Sequence, residues 1–174
     1  MSRRRQDGGY RNWEQGGYSS SGRWRGQEQA ADVYTDGSCT NNGRYGARGG
    51  VGVYWDKHSH LNVSERLEGR ATNQRAELQA ATRALEQARD NNIPKVRIHT
   101  DSAYTVKGAT EWMPRWKENG WKNYNGDDVA NKAEWQKLDG LCRGRDVTWK
   151  HVSGHSGNPG NEMADHLARS GANK

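Results

Sequence analysis

Long hydrophobic runs are missing from this 174-residue chain. No apolar stretch nears the ~18 residues that a membrane-spanning helix requires. No charged, apolar and small-residue succession of the secretory kind opens it. Hydrophobic residues make up 31% of the total and the mean hydropathy is −1.25. A chain this polar has a very polar surface or leaves part of itself unfolded. Cysteine is scarce as well. Cys39 and Cys142 show no pairing pattern, so a disulfide framework is excluded and free thiols in a reducing intracellular compartment are expected, whether cytoplasm, nucleus or mitochondrion.

What is present is charge, glycine and tryptophan. The net charge is +6, which suits a polyanionic partner without proving one. Residues 1–30 hold six arginines against Asp7, Glu14 and Glu28, among glycine, serine, glutamine and aromatics without a period of 2 or 3.6. Such a segment cannot bury enough surface to order itself. The plain reading is a disordered tail; the sharper one is an arm that grips RNA by charge and stacking. Its acids and glycines argue against an organellar presequence. Residues 31–174 suit one domain with a proper core.

Within that domain "ADVYTD" reads as a buried strand ending at Asp36, with Gly37 opening a turn-rich loop. "VGVYW" (51–55) and "LNVSERLEG" (61–69) read as two more strands, an antiparallel meander. Thr72 is a helix N-cap before "NQRAELQAATRALEQARDNN", and Asn91, Asn92 and Pro94 end that helix. "KVRIHTD" is a strand closing at Asp101. "SAYTVKGATEWM" reads as a helix, followed by a Trp-rich stretch broken by Pro114, Gly120 and Gly126. "DDVANKAEWQKLDGLC" is a helix, "DVTWKHV" a fifth strand, and Asn158-Pro159 starts a last helix. The order βββαβα…αβα calls for an α/β fold: a five-stranded mixed sheet, antiparallel then parallel, flanked by helices.

The carboxylates carry the chemistry. Asp36 and Asp101 both close expected strands, where reactive groups of α/β sheets gather. Either alone is more commonly a turn or cap residue. Glu77 heads the helix stripe Glu77, Ala81, Ala84, Ala88, whose alanines suit packing on a sheet; a charge there is costly unless paired or bound to metal. Asp165 repeats the pattern beside Ala168 and Ala172. Four converging carboxylates repel unless cations neutralise them. Oxygen-only ligands suit Mg²⁺ or Mn²⁺. Two such ions, ~3.5–4 Å apart, serve phosphodiester hydrolysis.

"YTDGS", "TNQRAEL", "TDSAY" and "GHSGNPGNEMAD" occur in an order and spacing similar to those of type 1 ribonuclease H, and the likeness runs from Val33 to Ala172. The resemblance implies the ribonuclease H-like fold with a Trp-rich basic protrusion at about 110–128. It implies an endonuclease that cuts the RNA strand of RNA–DNA hybrids with two Mg²⁺ ions, Mn²⁺ substituting, leaving 3′-hydroxyl and 5′-phosphate ends. Asp36, Glu77, Asp101 and Asp165 fall on the family's metal-binding carboxylates and His155 on its loop histidine. The glycines Gly154 and Gly157 are expected to leave that loop free to move, and a near-neutral imidazole there suits proton handling or product release.

Asn42, Asn73 and Gln74 resemble the residues that read the 2′-hydroxyl of the RNA strand, although Asn73 and Gln74 equally suit a plain helix start. Arg70, Thr72 and Asn131 resemble the pocket for a DNA-strand phosphate, an anion site beside a helix N-terminus. Tyr104, Trp112 and Trp116 resemble the DNA-strand channel, and the two tryptophans also suit a small core of the protrusion. Tyr124 departs from the small hydroxyl residue usual in animal enzymes. No counterpart of the amino-terminal hybrid-binding domain is present in this sequence, so processivity is expected to be low unless the tail grips nucleic acid. A monomer without an obligate protein partner is expected. Two other readings stay open: a DNA-cutting integrase or resolvase of the same fold, and a non-enzymatic hybrid- or RNA-binding module.

Overall fold

The computed structural model describes residues 29–174; the tail expected at residues 1–30 lies outside the described residues but for Gln29 and Ala30. The sheet has the order β3-β2-β1-β4-β5, built from β1 (Ala31–Thr40), β2 (Arg48–Tyr54), β3 (Val63–Arg66), β4 (Lys95–Thr100) and β5 (Asp146–His151). β1, β2 and β3 pair antiparallel, while β4 joins β1 and β5 joins β4 in parallel. The helices are α1 (Asn73–Asp90), α2 (Ala103–Lys107), α3 (Met113–Asn119), α4 (Lys132–Cys142) and α5 (Pro159–Ala172). The expected mixed α/β architecture is therefore the one observed.

Each sheet face has its own packing chemistry. Val33, Val53, Val96 and Ile98 meet Leu78, Ala81, Ala84, Leu85 and Ala88 of α1 and Trp135 and Leu138 of α4. Full burial of such a Val, Leu or Ile contributes ~1.5–3 kcal/mol. On the other face α5 lies almost on the backbone. A Cβ added at Gly50 would stand 1.9 Å from the Ala168 carbonyl oxygen, and one at Gly52 would stand 2.2 Å from that of Ala164. Small residues on both sides bring the helix that carries Asp165 close to β1 and β2.

Three local expectations are corrected. β1 does not end at Asp36 but runs to Thr40, with Gly37 paired to Val51. Gly37 serves close approach instead of a turn: a Cβ there would sit 2.4 Å from the Ala76 carbonyl carbon of α1. β3 covers only Val63–Arg66 of the expected 61–69; the chain then turns around Arg75, whose Nη1 donates to the Glu68 and Arg70 carbonyls. Pro114 does not break the helix after β4. α2 passes through a π turn (Gly108–Trp112) into α3, and the proline falls in the first turn of α3, where its missing N–H is tolerated. Gly108 is again a contact glycine, since a Cβ would meet the Trp135 ring at 2.0 Å.

Candidate active site and nucleic-acid groove

The parallel β1–β4 pairing ends at Tyr34 and His99. Beyond it the two chains separate, and Asp36 and Asp101 stand at the fork. Asp36 thus marks the end of parallel pairing, not of its strand. Glu77 comes from the second turn of α1, held against β1 by the contact at Gly37, where a Cβ would lie 2.5 Å from the Glu77 nitrogen. The outcome is a trio: one carboxylate oxygen each from Asp36, Glu77 and Asp101 lies within 4.8 Å of the others.

This trio is electrostatically strained. Asp36 is 4% exposed. Burial first, then the charges of Asp101 and Asp165, push its carboxyl up to about 8, which the Gly37 amide offsets only in part. Burial, followed by Asp36 and Asp101, holds Glu77 well above the usual carboxylate range. Glu77 Oε1 is buried and accepts no hydrogen bond from any described residue. An orphaned oxygen amid crowded carboxylates, with no sulfur or nitrogen donor in the trio, fits a hard divalent cation. Asp36, Glu77 and Asp101 could hold it.

Asp165 stands just outside the trio. It flanks the α5 stripe of Ala164, Ala168 and Ala172 and does not lie within it; its Oδ2 is 3.0 Å from Arg169 Nη2 and its side chain is 21% exposed. It reaches Asp36 electrostatically. His155 is exposed in the β5–α5 loop, with φ +56°. Gly154 also permits a close approach: a Cβ there would sit 2.8 Å from Asp101 Oδ2, so the glycine lets the loop rest on the carboxylate. Gly157, with φ +87° and open space around it, keeps the conformational role.

Asn161 escaped the sequence reading. It is 2% exposed and its Nδ2 donates to Asp101 Oδ2 at 3.3 Å. The available signal was its place one turn before Asp165, where a buried asparagine needs a partner.

The residues expected to contact substrate gather around the start of α1. Thr72 caps the helix, its hydroxyl accepting from the Arg75 amide at 3.1 Å. Asn42 reaches across from the β1–β2 loop, its Oδ1 accepting from the Asn73 amide at 2.8 Å. Arg70 and Thr72 both border Gly43, within 3.5 and 3.6 Å of a Cβ placed there. Asn131 joins through its Nδ2, which donates to Gln74 Oε1 at 3.5 Å and to the Tyr104 hydroxyl at 3.0 Å. Tyr104 in turn accepts from Trp135 Nε1 at 3.1 Å. Trp112 packs on Tyr104 and Trp116, with ring centroids 5.6 and 5.9 Å apart, and Trp116 packs on Trp121 and Trp135 at 5.9 and 5.5 Å. These tryptophans pack on one another as the protrusion's small core, and Trp112 and Trp116 also line a cleft of about 560 Å³ with Arg115, Lys122 and exposed Tyr124.

The RNase H family model matches residues 28–173. Over 140 residues the chain is 54% identical to Ribonuclease H1 of Rattus norvegicus, a match covering 80% of this chain and 49% of the rat protein, so it spans about half the length of that relative. It is 43% identical over 139 residues to Ribonuclease H of Alcanivorax borkumensis, covering 80% of this chain and 89% of the other. Among solved structures, foamy viral protease-reverse transcriptase in complex with RNA/DNA hybrid superposes with a TM-score of 0.72 at 29% identity, over 84% of this chain and 20% of the viral one. A sheet that forks at two aspartates, a helix bringing Glu77 against them and a match across nearly every described residue place this chain in the RNase H family.

Proposed function

We propose that this protein is an endonuclease that hydrolyses the RNA strand of RNA–DNA hybrids and leaves 3′-hydroxyl and 5′-phosphate ends, acting as a monomer. The observation that carries the proposal is the trio of carboxylate oxygens within 4.8 Å, drawn from three elements. Two relatives bear the name ribonuclease H, and one solved neighbour is bound to an RNA/DNA hybrid.

Asp36, Glu77 and Asp101 would hold divalent cations, Mg²⁺ first and Mn²⁺ as a substitute, with Asp165 contributing to a second, looser position. Bound there, the cations supply Lewis-acid activation of water and charge stabilisation at the phosphate. Asn161 fixes the Asp101 carboxylate through its amide. His155, exposed and without a hydrogen bond to any described residue, is free to meet the scissile phosphate and move a proton. Asn42, Asn73 and Gln74 face the RNA strand, where short polar groups distinguish the 2′-hydroxyl. Arg70, Thr72 and Asn131 hold a phosphate of the DNA strand, and Tyr104, Trp112 and Trp116 pack its sugars. Hydrogen bonds through Asn131 link Gln74 of the first group to Tyr104 of the second.

The test is cleavage of a uniform RNA–DNA hybrid beside duplex DNA, with Mg²⁺ and with EDTA, followed by analysis of the product ends. RNA-strand cleavage that requires Mg²⁺ and yields 5′-phosphates is expected. Cleavage of duplex DNA at a comparable rate would instead support a DNA-cutting nuclease of the same fold, and no cleavage of either would leave a binding module.

A further inference from the structure

A second cleft lies on the edge of the sheet, between β5 and the outer side of the π turn and α3. It encloses about 460 Å³ and is lined in part by Met113, Lys117, Asp139, Arg145 and Trp149. It is remote from the carboxylates. Lys95 pairs with Asp146 and Thr100 with His151, and the Asp146 amide donates to the Pro94 carbonyl at 2.8 Å. Arg145 therefore stands at the amino end of β4, while Asp101 follows its carboxyl end. A strand of this length separates the two by roughly 20 Å.

Charge in this cleft is unbalanced. Asp139 is 5% exposed and both its oxygens are engaged, Oδ1 by Lys117 at 3.0 Å and Oδ2 by Arg143 at 3.1 Å. Nothing comparable serves Arg145. Its Nε and Nη1 are buried, and neither has an acceptor among the described residues. A guanidinium stays charged at any working pH, and buried N–H donors without an acceptor are unfavourable. Among the side chains that line the cleft, Lys117 and Arg145 against Asp139 leave a net positive charge, which suits an oxyanion.

We propose that this cleft binds an oxyanion of the phosphate class, with Arg145 as the principal donor, Lys117 beside it and the Trp149 ring as one wall. The site stands apart from the groove and does not depend on the activity proposed above.

The experiment titrates inorganic phosphate into the full chain while recording the Trp149 indole and Arg145 Nε–H signals by NMR. A saturable shift at both groups is expected. It should weaken by roughly tenfold or more in Arg145→Gln, as loss of a charge-assisted donor implies, while hybrid cleavage stays unchanged. Arg145→Lys, which keeps the charge but not the fork, should fall between. Arg70→Gln separates phosphate bound at the groove, because it should leave the Trp149 shift intact. Adding a short hybrid distinguishes the source: displacement of phosphate assigns the site to a nucleic-acid phosphate, and retention assigns it to a free anion. The proposal is overturned if Trp149 and Arg145 show no saturable shift, or if Arg145→Gln and Arg145→Lys both bind phosphate as the wild type does.

Discussion

A carboxyl group as enclosed as Asp36, at 4% exposure beside Glu77 and Asp101, favours its neutral form until a cation arrives. Its folded-state pKa of about 8 lies above the ordinary 3.8. Between those values the folded chain binds more protons than the unfolded one, so this contribution to stability is complete below about pH 4 and disappears as pH rises through about 8. In EDTA, Tm should therefore fall between pH 5 and pH 9, by roughly 5 °C or more. Mg²⁺ should restore it most at the alkaline end, and Asp36→Asn should flatten the metal-free slope. A metal-free profile equally flat in wild type and variant contradicts this account of Asp36. Asn161 offers a second test at this scale. Losing its amide from Asp101 should slow cleavage ~10–100-fold, the cost usual for a group that orients a metal ligand, and should raise the Mg²⁺ concentration needed for half-maximal rate. Asn161→Asp should not rescue, since it adds a charge to a crowded site. If Asn161→Ala changes only Tm and leaves the Mg²⁺ requirement alone, the residue is structural. These residues were unequally legible in the sequence. Asp36, Glu77, Asp101 and Asp165 stand in dense local motifs, whereas Asn161 matters through one contact across sixty positions of chain, which no local pattern encodes.

Elements were legible where their signals were local. The caps Thr72 and Asn158 mark the starts of α1 and α5, and both side chains accept the expected backbone hydrogen bonds. β4, β5 and the period of α1 followed from their patterns. The end of β1 did not, because Gly37 reads as a turn residue until the Ala76 backbone is known to press on it. Pro114 misled for the opposite reason: a π turn ahead of it makes room for a residue that normally ends a helix. Glycines accordingly divide into contact glycines and free ones, and this division can be measured. Gly50→Ala would drive a Cβ into the α5 backbone and should cost ~1–3 kcal/mol, the usual penalty of overpacking, lowering Tm by roughly 5 °C. Gly140→Ala sits within α4 with nothing inside 4 Å. It should stabilise by ~0.5–1 kcal/mol through helix propensity, raising Tm by about 2 °C. Thermal melts that reverse this order would contradict the close packing of α5 on the sheet.

For the molecule as a whole, a net charge of +6 and the groove proposed at Arg70, Asn131 and the protrusion would set the terms of association with a hybrid. Hybrid affinity should fall linearly with salt on a log–log plot, as counterion release requires. Arg70→Ala should weaken binding across sequences and lower the magnitude of the slope by about 1; an unchanged slope would remove Arg70 from the phosphate contacts. The protrusion contributes less free charge than its lysines suggest. Lys122 pairs with Asp128 at 2.8 Å, an aspartate that also takes Lys132 of α4 at 3.3 Å, and Lys117 pairs with Asp139 at 3.0 Å. Its part in binding should rest more on aromatic surface than on salt-sensitive attraction. The proposed function rests on a single arrangement, three acidic side chains from separate elements converging closely enough to hold a cation. Calorimetric titration of Mn²⁺ into the full chain without nucleic acid tests that arrangement most directly. Saturable binding in the wild type, abolished alike by Asp36→Asn, Glu77→Gln and Asp101→Asn in variants that still melt cooperatively, is the predicted result; undiminished Mn²⁺ binding in any of the three would contradict it.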